Sequence, residues 1–278
     1  MKVIKLFNKE DFKPHHLDAE WPILNRIDEG PIGIISIGEH SIELLEASIK
    51  KSAVVGLSSL KTINSGLDKE AAEVIKKEGS SKKISHWLVS LATGPCPTRE
   101  ESPQKDEDLL LYQKTRENPK SLIKDIFSPE SLYSIAHSGQ GNGSIVFEEK
   151  RETIQQIEKL LKGLRICRIQ NGIYAFIHYF SKTNTEENMV LAVLDRESCL
   201  FLKIESGNWT GISYRKLTSE EELKTISKEI LPALNPENVP VKWVSSGPIN
   251  AESFIEPNPQ EQLLKEIVNP IAWSSLYA

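Results

Sequence analysis

Residues 32–60 read IGIISIGEHSIELLEASIKKSAVVGLSSL, and this stretch indicates how the 278-residue chain folds. It contains three short apolar segments, Gly33–Ile37, Ile42–Ser48 and Ala53–Leu57, which are separated only by GEHS and by IKKS. Both spacers are short enough for hairpin turns. The stretch therefore predicts three antiparallel strands joined in a meander.

A helix and a fourth strand are predicted directly after the meander. Asp68 is placed to cap a helix from Asp68 to Glu78, and Gly79 is placed to end it. His86–Leu91 follows as an apolar strand that runs into the breaker cluster TGPCP. The resulting order, β-β-β-α-β, is neither the alternating pattern of a doubly wound sheet nor that of a β-sandwich. It is the core order of the ribonuclease-H and actin subdomain.

The second half of the chain repeats this order without a sequence repeat that can be aligned. The acidic start of SEEELKTISKEIL, residues 219–231, favours a helix. A closing helix is predicted over Glu261–Tyr277, with a kink at Pro270. The predicted strands are Met189–Leu194, Cys199–Ile204, Thr210–Leu217 and Val241–Ser245.

These elements predict an α/β protein with a two-lobed actin-like (ribonuclease-H-type) fold, in which a duplicated β-β-β-α-β core surrounds a cleft. The domain prediction has three parts: an irregular lead-in over residues 1–30, a first lobe over 31–188 and a second lobe with the closing helix over 189–278. An inserted subdomain is expected at about 95–150, with strands at Leu132–Ala136 and Ser144–Phe147. The rest of the first lobe is predicted as a helix at Arg151–Lys162, a strand at Leu164–Ile169 and a helix at Gly172–Phe180.

Composition excludes several classes of protein. A net charge of −5 with interspersed Lys and Arg gives no basic face for nucleic acid. The six histidines form no HxxxH or HExxH unit, and no metal site is expected. The three cysteines have neither metal-ligand spacing nor a disulfide pattern; they are Cys96, Cys167 and Cys199.

Localisation is expected to be cytoplasmic, unless the natural chain extends beyond residue 278. The first residues, MKVIKLFNKEDFKPHHLD, lack the apolar core of a signal peptide. No run of about eighteen apolar residues occurs, so no direct membrane span is expected.

Three loops carry candidate site residues, each with a structural alternative. The turn after the first strand, with Gly38 and Ser41, can offer amides to a phosphate or be an ordinary hairpin turn. Asp195 at a strand end can hold Mg²⁺ through water or simply form a turn. The loop SSGPIN, which contains Gly247, can wrap the phosphates or adenine of a nucleotide, or Gly247-Pro248 can simply be a loop breaker. The glycine-rich SGQGNGS at 138–144 lacks the GxGxxG spacing and predicts a hairpin turn instead.

Several stretches resemble, in the same order, the actin-like pilus-assembly protein PilM and its relatives. Those relatives are the cell-division protein FtsA and the cytoplasmic domain of the type II secretion protein GspL. Residues 32–60 resemble the family's opening strands, and 151–180 resemble its helix, strand and helix before the second lobe. MVLAVLDRESCLFLKIESGNWTGISYRKL at 189–217 resembles the start of that lobe. VKWVSSGPIN at 241–250 and NPIAWSSLYA at 269–278 resemble its last loop and final helix.

The chain departs from the family at each phosphate loop. Ser36 stands where the family has an aspartate, and DRE at 195–197 replaces Asp-x-Gly. Pro248 replaces the second of two paired glycines and removes an amide donor. Glu197 would also repel a phosphate. The resemblance therefore implies a vestigial ATP and Mg²⁺ cleft at the four candidate residues, with weak or absent nucleotide binding and no catalytic residue or required cofactor.

The resemblance implies a non-catalytic cytoplasmic scaffold of a type IV pilus or type II secretion-like assembly. Such a scaffold binds the cytoplasmic tail of a bitopic inner-membrane protein, has the motor ATPase as a further partner and is peripheral at the inner membrane. A tail is expected at an open edge of the early strands, Gly33–Ser48, unless the lead-in covers that edge. Two alternatives stay open: an actin-like sugar or acetate kinase using ATP and Mg, and a cell-division scaffold like FtsA.

Overall fold

The computed structural model describes residues 29–51, 53–92, 131–137, 144–183, 188–194, 198–206, 208–217, 220–235, 238–245 and 261–264. Several predictions lie outside the described residues: the lead-in up to residue 28, the inserted subdomain up to residue 130, the turn at 138–143 and the kink at Pro270.

The first sheet contains the predicted meander. Its strands are β1 Glu29–Ile37, β2 Ile42–Lys50, β3 Ala53–Ile63, β4 His86–Leu91 and β7 Ile166–Asn171. The strand order is β3-β2-β1-β4-β7; β1 pairs with β2, and β2 with β3, antiparallel, whereas β4 runs parallel to both β1 and β7. Helix α1, Lys69–Ser81, follows β3 and begins where predicted, because the Ala71 amide donates a 2.7 Å hydrogen bond to the Asp68 carboxylate.

The second sheet repeats this arrangement strand for strand. Its strands are β8 Met189–Leu194, β9 Ser198–Glu205, β10 Asn208–Lys216, β11 Val241–Ser245 and β12 Glu261–Leu264. The strand order is β10-β9-β8-β11-β12, again an antiparallel meander followed by two parallel strands. Helix α4, Glu220–Leu234, lies between β10 and β11 in the chain, as α1 lies between β3 and β4. The prediction of a duplicated, two-lobed actin-like α/β fold is confirmed.

A hairpin and two helices connect the first sheet to the second. The hairpin pairs β5, Ser131–His137, with β6, Ser144–Lys150. Helix α2, Arg151–Leu160, starts at the predicted residue, and its apolar side chains recur on one face. Helix α3, Gly172–Thr183, follows β7 without a loop.

Three apolar cores stack the elements in layers. The central core joins α3 to one face of each sheet, so α3 lies between the two sheets. A second core packs α1 and α2 on the outer face of the first sheet, and a third packs α4 on the outer face of the second sheet. The central core includes Ile34, Leu88, Phe147, Ile173, Phe176, Leu191 and Leu202.

The packing of Trp87 in the second of these cores explains why positions 33 and 79 are glycines. The Trp87 side chain is fully buried between β1 and α1. A Cβ atom placed on Gly33 would lie 2.2 Å from Trp87 Cε3, and one on Gly79 would lie 2.7 Å from Cζ2. Only glycine leaves room for the indole at both positions.

Two predictions are wrong, and one predicted boundary is shifted. The closing helix, Glu261–Tyr277, does not begin as a helix, because Glu261–Leu264 forms β12 and pairs in parallel with β11. The expected open edge at Gly33–Ser48 does not exist either, since β1 and β2 are each paired on both sides. Among the described strands, the edges of this sheet are β3 and β7. Strand β1 also begins at Glu29, inside the predicted lead-in.

Candidate functional site

The turn between β1 and β2 is closed by a backbone hydrogen bond of its own Gly38 amide. The Gly38 amide donates a 2.8 Å hydrogen bond to the carbonyl of Ser41 and closes the hairpin. Directly beside it, the Ala92 amide donates to the carbonyl of Ile37 at 2.9 Å, which extends the pairing of β1 with β4 by one residue. A nucleotide site requires backbone amides that can bind phosphate. The Gly38 amide does not meet this requirement, because it is already bonded within its turn.

A pocket of about 460 Å³ opens beside this turn, where strands β1 and β4 end. Its apolar side chains come from the ends of β1 and β4, from the loop before α1 and from α2, and polar residues complete the lining. The apolar residues are Ile37, Leu67, Leu91, Ala92, Ile157 and Leu160. The others are Gly38, Glu39, Gly66, Glu149, Thr153, Gln156 and Lys216.

Charged residues from both halves of the chain meet at this pocket. The Lys216 ammonium, at the end of β10, donates a hydrogen bond to the Glu39 carboxylate in the β1–β2 turn. That hydrogen bond, together with the positive charge of Lys216, lowers the pKa of Glu39 below its ordinary value. His40 lies 4.0 Å from the same carboxylate. The pocket lining thus carries two carboxylates and one ammonium.

Glu149, the second carboxylate, is held in place by a buried amide. The Asn171 Nδ2 donates a 3.0 Å hydrogen bond to Glu149 Oε1. The Oδ1 of Asn171 accepts a 2.9 Å hydrogen bond from the Tyr174 amide in the first turn of α3. Because Asn171 is only 2% exposed, it links the pocket to the α3 terminus through a fixed side chain.

A row of polar side chains crosses the first sheet on the face that packs against α3. Glu43 on β2 is in register with Ser36 on β1, which is in register with Ser90 on β4 and then Gln170 on β7. Ser36 is 5% exposed and Glu43 is 8% exposed. The Ser59 hydroxyl donates to Glu43 at 3.4 Å. A carboxylate therefore lies directly opposite Ser36, the position where the resemblance indicates a lost aspartate.

The structure locates only part of the predicted site. Gly38 and Ser41 lie in one turn, and Gly38 alone lines the pocket. Asp195, Gly247, the DRE stretch at 195–197 and Pro248 lie outside the described residues. Within the described part of the chain, no three His, Cys, Asp or Glu side chains cluster as metal ligands would. No helix in that part is long and apolar enough to cross a bilayer.

Sequence inspection missed the residues that give the pocket its charge. Glu39 lies in the same turn as the candidate residue Gly38, and 177 positions separate it from Lys216 in the chain. No local pattern indicates that pair. Glu43, by contrast, could have been found, because a four-residue turn between Ile37 and Ile42 places Ser36 opposite Glu43.

Comparison with solved structures gives similar proteins at low identity, of which three are described. A Bacteroides thetaiotaomicron protein with an actin-like ATPase fold and unknown function matches with a TM-score of 0.52 at 11% identity, over 95% of this chain and 100% of that one. The cytoplasmic domain of EpsL, an inner-membrane component of the Vibrio cholerae type II secretion system, matches with 0.51 at 15% identity, over 89% and 93%. A PilM–PilN type IV pilus biogenesis complex matches with 0.50 at 13% identity, over 87% and 88%.

These matches agree with the duplicated sheet order and confirm the expected resemblance to PilM and GspL at the level of fold. No family model matches the sequence, and the comparison with curated proteins finds no match.

Proposed function

We propose that this chain is a non-catalytic cytoplasmic scaffold of a pilus- or secretion-type assembly. In this proposal it holds the cytoplasmic tail of a bitopic inner-membrane protein and is thereby peripheral at the inner membrane, with the motor ATPase of the machine as a further partner. The pocket of about 460 Å³ at the ends of β1 and β4 carries the proposal. Two proteins of similar fold belong to such machines, one an inner-membrane component and the other in complex with PilN.

The pocket has the size and the lining of a ligand site. Its volume falls within the roughly 300–1,000 Å³ typical of binding pockets, which are mostly apolar with a few polar groups. A peptide can bury two or three apolar side chains against Leu67, Leu91 and Ile157 while its backbone stays near the polar residues of α2. This mode needs no open strand edge, so it replaces the expectation placed on Gly33–Ser48.

The same geometry disfavours a nucleotide. The Gly38 amide is occupied within its turn, and the carboxylates of Glu39 and Glu149 would face the negative charges of a polyphosphate. Neither a cofactor nor a catalytic role is therefore part of the proposal. The alternative is an actin-like sugar or acetate kinase using ATP and Mg²⁺, which would require phosphate amides and a metal carboxylate in this cleft.

A pocket-blocking variant tests the scaffold. Thr153 is exposed on α2 and lines the pocket, so Thr153→Trp should fill it without disturbing the core. Wild-type protein immobilised on beads should retain a bitopic membrane protein from detergent-solubilised inner membranes, and the Thr153→Trp variant should lose it. Glu158→Trp, an exposed position on the same helix outside the pocket lining, is the matched control.

Retention that is equal for wild type and Thr153→Trp would refute binding in the pocket. Specific binding of ATP with Mg²⁺, with phosphate release, would favour the kinase instead.

A further inference from the structure

We propose that the segment held in this pocket carries a Lys or Arg side chain beside its apolar anchor, and that this cation pairs with Glu149 and displaces Lys216 from Glu39. The inference rests on the proposed function, because it names the chemistry of the segment that the pocket takes. An apolar side chain of the segment fills the floor, while its cation reaches the rim. The occupant is thus a basic amphipathic peptide.

The first support is the position of the two carboxylates. Glu39 from the β1–β2 turn and Glu149 from β6 line the same pocket as the apolar floor residues Ile37 and Leu91. Glu149 does not need to be ordered by the ligand, because Asn171 already holds one of its oxygens at 3.0 Å. A carboxylate has lone pairs for more than one donor, so a ligand cation can join the donors that Glu149 already has. A preorganised carboxylate at the rim of an apolar pocket favours a ligand cation.

The second support is that a ligand cation can displace the Lys216 ammonium from Glu39. Its side chain is 66% exposed and that of Glu39 is 54% exposed, and exposed ion pairs contribute little to stability. Lys216 is also the only lining residue among the described ones that comes from the second sheet, since the others lie between residues 37 and 160. Its ammonium can therefore move away without dismantling the pocket, and a ligand cation can take over the carboxylate.

The third support is the expected composition of a tail at the membrane. Cytoplasmic segments next to a transmembrane helix carry an excess of Lys and Arg. A pocket with two carboxylates and an exchangeable lysine complements such a segment, whereas it would repel an acidic one. Charge complementarity thus selects the membrane-proximal tail among peptides that share the same apolar anchor.

A displayed library of short random peptides, selected on the purified full chain, tests the inference. Sequences that bind wild type and not Thr153→Trp should combine an apolar residue with Lys or Arg within three positions. An enriched peptide should then bind Glu149→Gln about tenfold more weakly, the loss expected when a charge-assisted hydrogen bond becomes a neutral one. Glu148→Gln, one residue away on the opposite face of β6 and outside the pocket lining, should leave binding unchanged.

Removing the competing ammonium should have the opposite effect. Lys216→Gln should tighten the same peptide roughly two- to threefold, because one exposed ion pair no longer has to be broken. Lys77→Gln, at an exposed position on α1, removes the same charge and should not change the affinity. A variant peptide with Gln in place of its Lys or Arg should bind wild type and Glu149→Gln equally.

Each outcome decides a different claim. Peptides that depend on the pocket but lack Lys and Arg, or that are acidic, would overturn this inference and leave the proposed function standing. Weaker binding to Lys216→Gln would also overturn it, since Lys216 would then contact the ligand favourably. Recovery of no peptide that distinguishes wild type from Thr153→Trp would overturn both.

Discussion

Gly33→Ala should destabilise the protein strongly although it adds a single methyl group. The new Cβ atom would lie 2.2 Å from Trp87 Cε3 and 2.3 Å from Cζ3, where real Cβ contacts are essentially never closer than 3.0 Å. Neither partner can retreat easily. Gly33 is in register with Glu46 on β2 and Trp87 on β4, and the far end of the indole meets Gly79 of α1.

The magnitude follows from overpacking. Forcing one extra methyl group into a packed core costs about 1–3 kcal/mol, and a clash in a central strand belongs at the upper end. The lower backbone entropy of unfolded Ala returns about 0.5–1 kcal/mol. The net loss in the free energy of unfolding should be about 2–2.5 kcal/mol. For a chain of this size that lowers Tm by roughly 4–10 °C.

Urea unfolding followed by circular dichroism measures this loss, with Gly56→Ala as the matched control. Gly56 is also a strand glycine, but a Cβ atom there would meet only Ser48 Cβ, at 4.0 Å. Gly56→Ala should leave the stability within about 0.5 kcal/mol of wild type. Replacing Trp87 by Leu in the Gly33→Ala background should recover part of the loss beyond additivity. Equal stability of Gly33→Ala and Gly56→Ala would refute the packing argument.

Three further predictions concern the site and the second sheet. Calorimetric titration with ATP and Mg²⁺ should give a dissociation constant no tighter than about 1 mM, or −4 kcal/mol, because the Gly38 amide is already bonded; micromolar binding would contradict this. Asn171→Ala should cost about 1–2 kcal/mol of unfolding free energy, because the α3 terminus loses its cap, and Asn171→Ser, which can still accept the amide hydrogen bond and places no charge beside Glu149, should restore part of it in a thermal melt; equal losses for both would contradict a capping role. Burial raises the pKa of the Cys199 thiol to about 12, so an aromatic disulfide reagent at pH 8 should modify partly exposed Cys167 and spare Cys199 until the protein unfolds; rapid modification of native Cys199 would contradict its burial.

The same pKa shift sets a dependence of stability on pH. The folded protein keeps the Cys199 proton up to a pKa of about 12, whereas the unfolded thiol loses it near its ordinary value of 9.0. The stabilising contribution is therefore complete below pH 9 and is lost as the pH rises toward 12.

The sequence predicts those elements whose pattern is local. Strand β11, Val241–Ser245, has the predicted bounds, and α1 starts after its predicted cap, because alternation and side-chain capping act over a few residues. Strand β12 was predicted as helix since Glu, Gln and Leu favour helices, and only pairing with β11 makes EQLL extended. A parallel partner distant in the chain leaves no local signal.

The candidate site divides in the same way. The β1–β2 turn around Gly38 was predicted, because a turn between two apolar segments is a local feature. The meeting of Glu39 with Lys216 depends on how the two sheets pack, and so does the pocket that those residues line. The charge of the pocket is therefore a property of the fold, and no motif in the sequence indicates it.

Photocrosslinking from inside the pocket shows whether a membrane partner occupies it. Thr153 is replaced by benzoylphenylalanine in cells that carry the natural gene, and Glu158 on the same helix is replaced likewise as the control position outside the pocket lining. Irradiation should link position 153, and not position 158, to the cytoplasmic segment of one bitopic inner-membrane protein. Equal crosslinking at the two positions, or none at position 153, would contradict a pocket that holds a membrane partner.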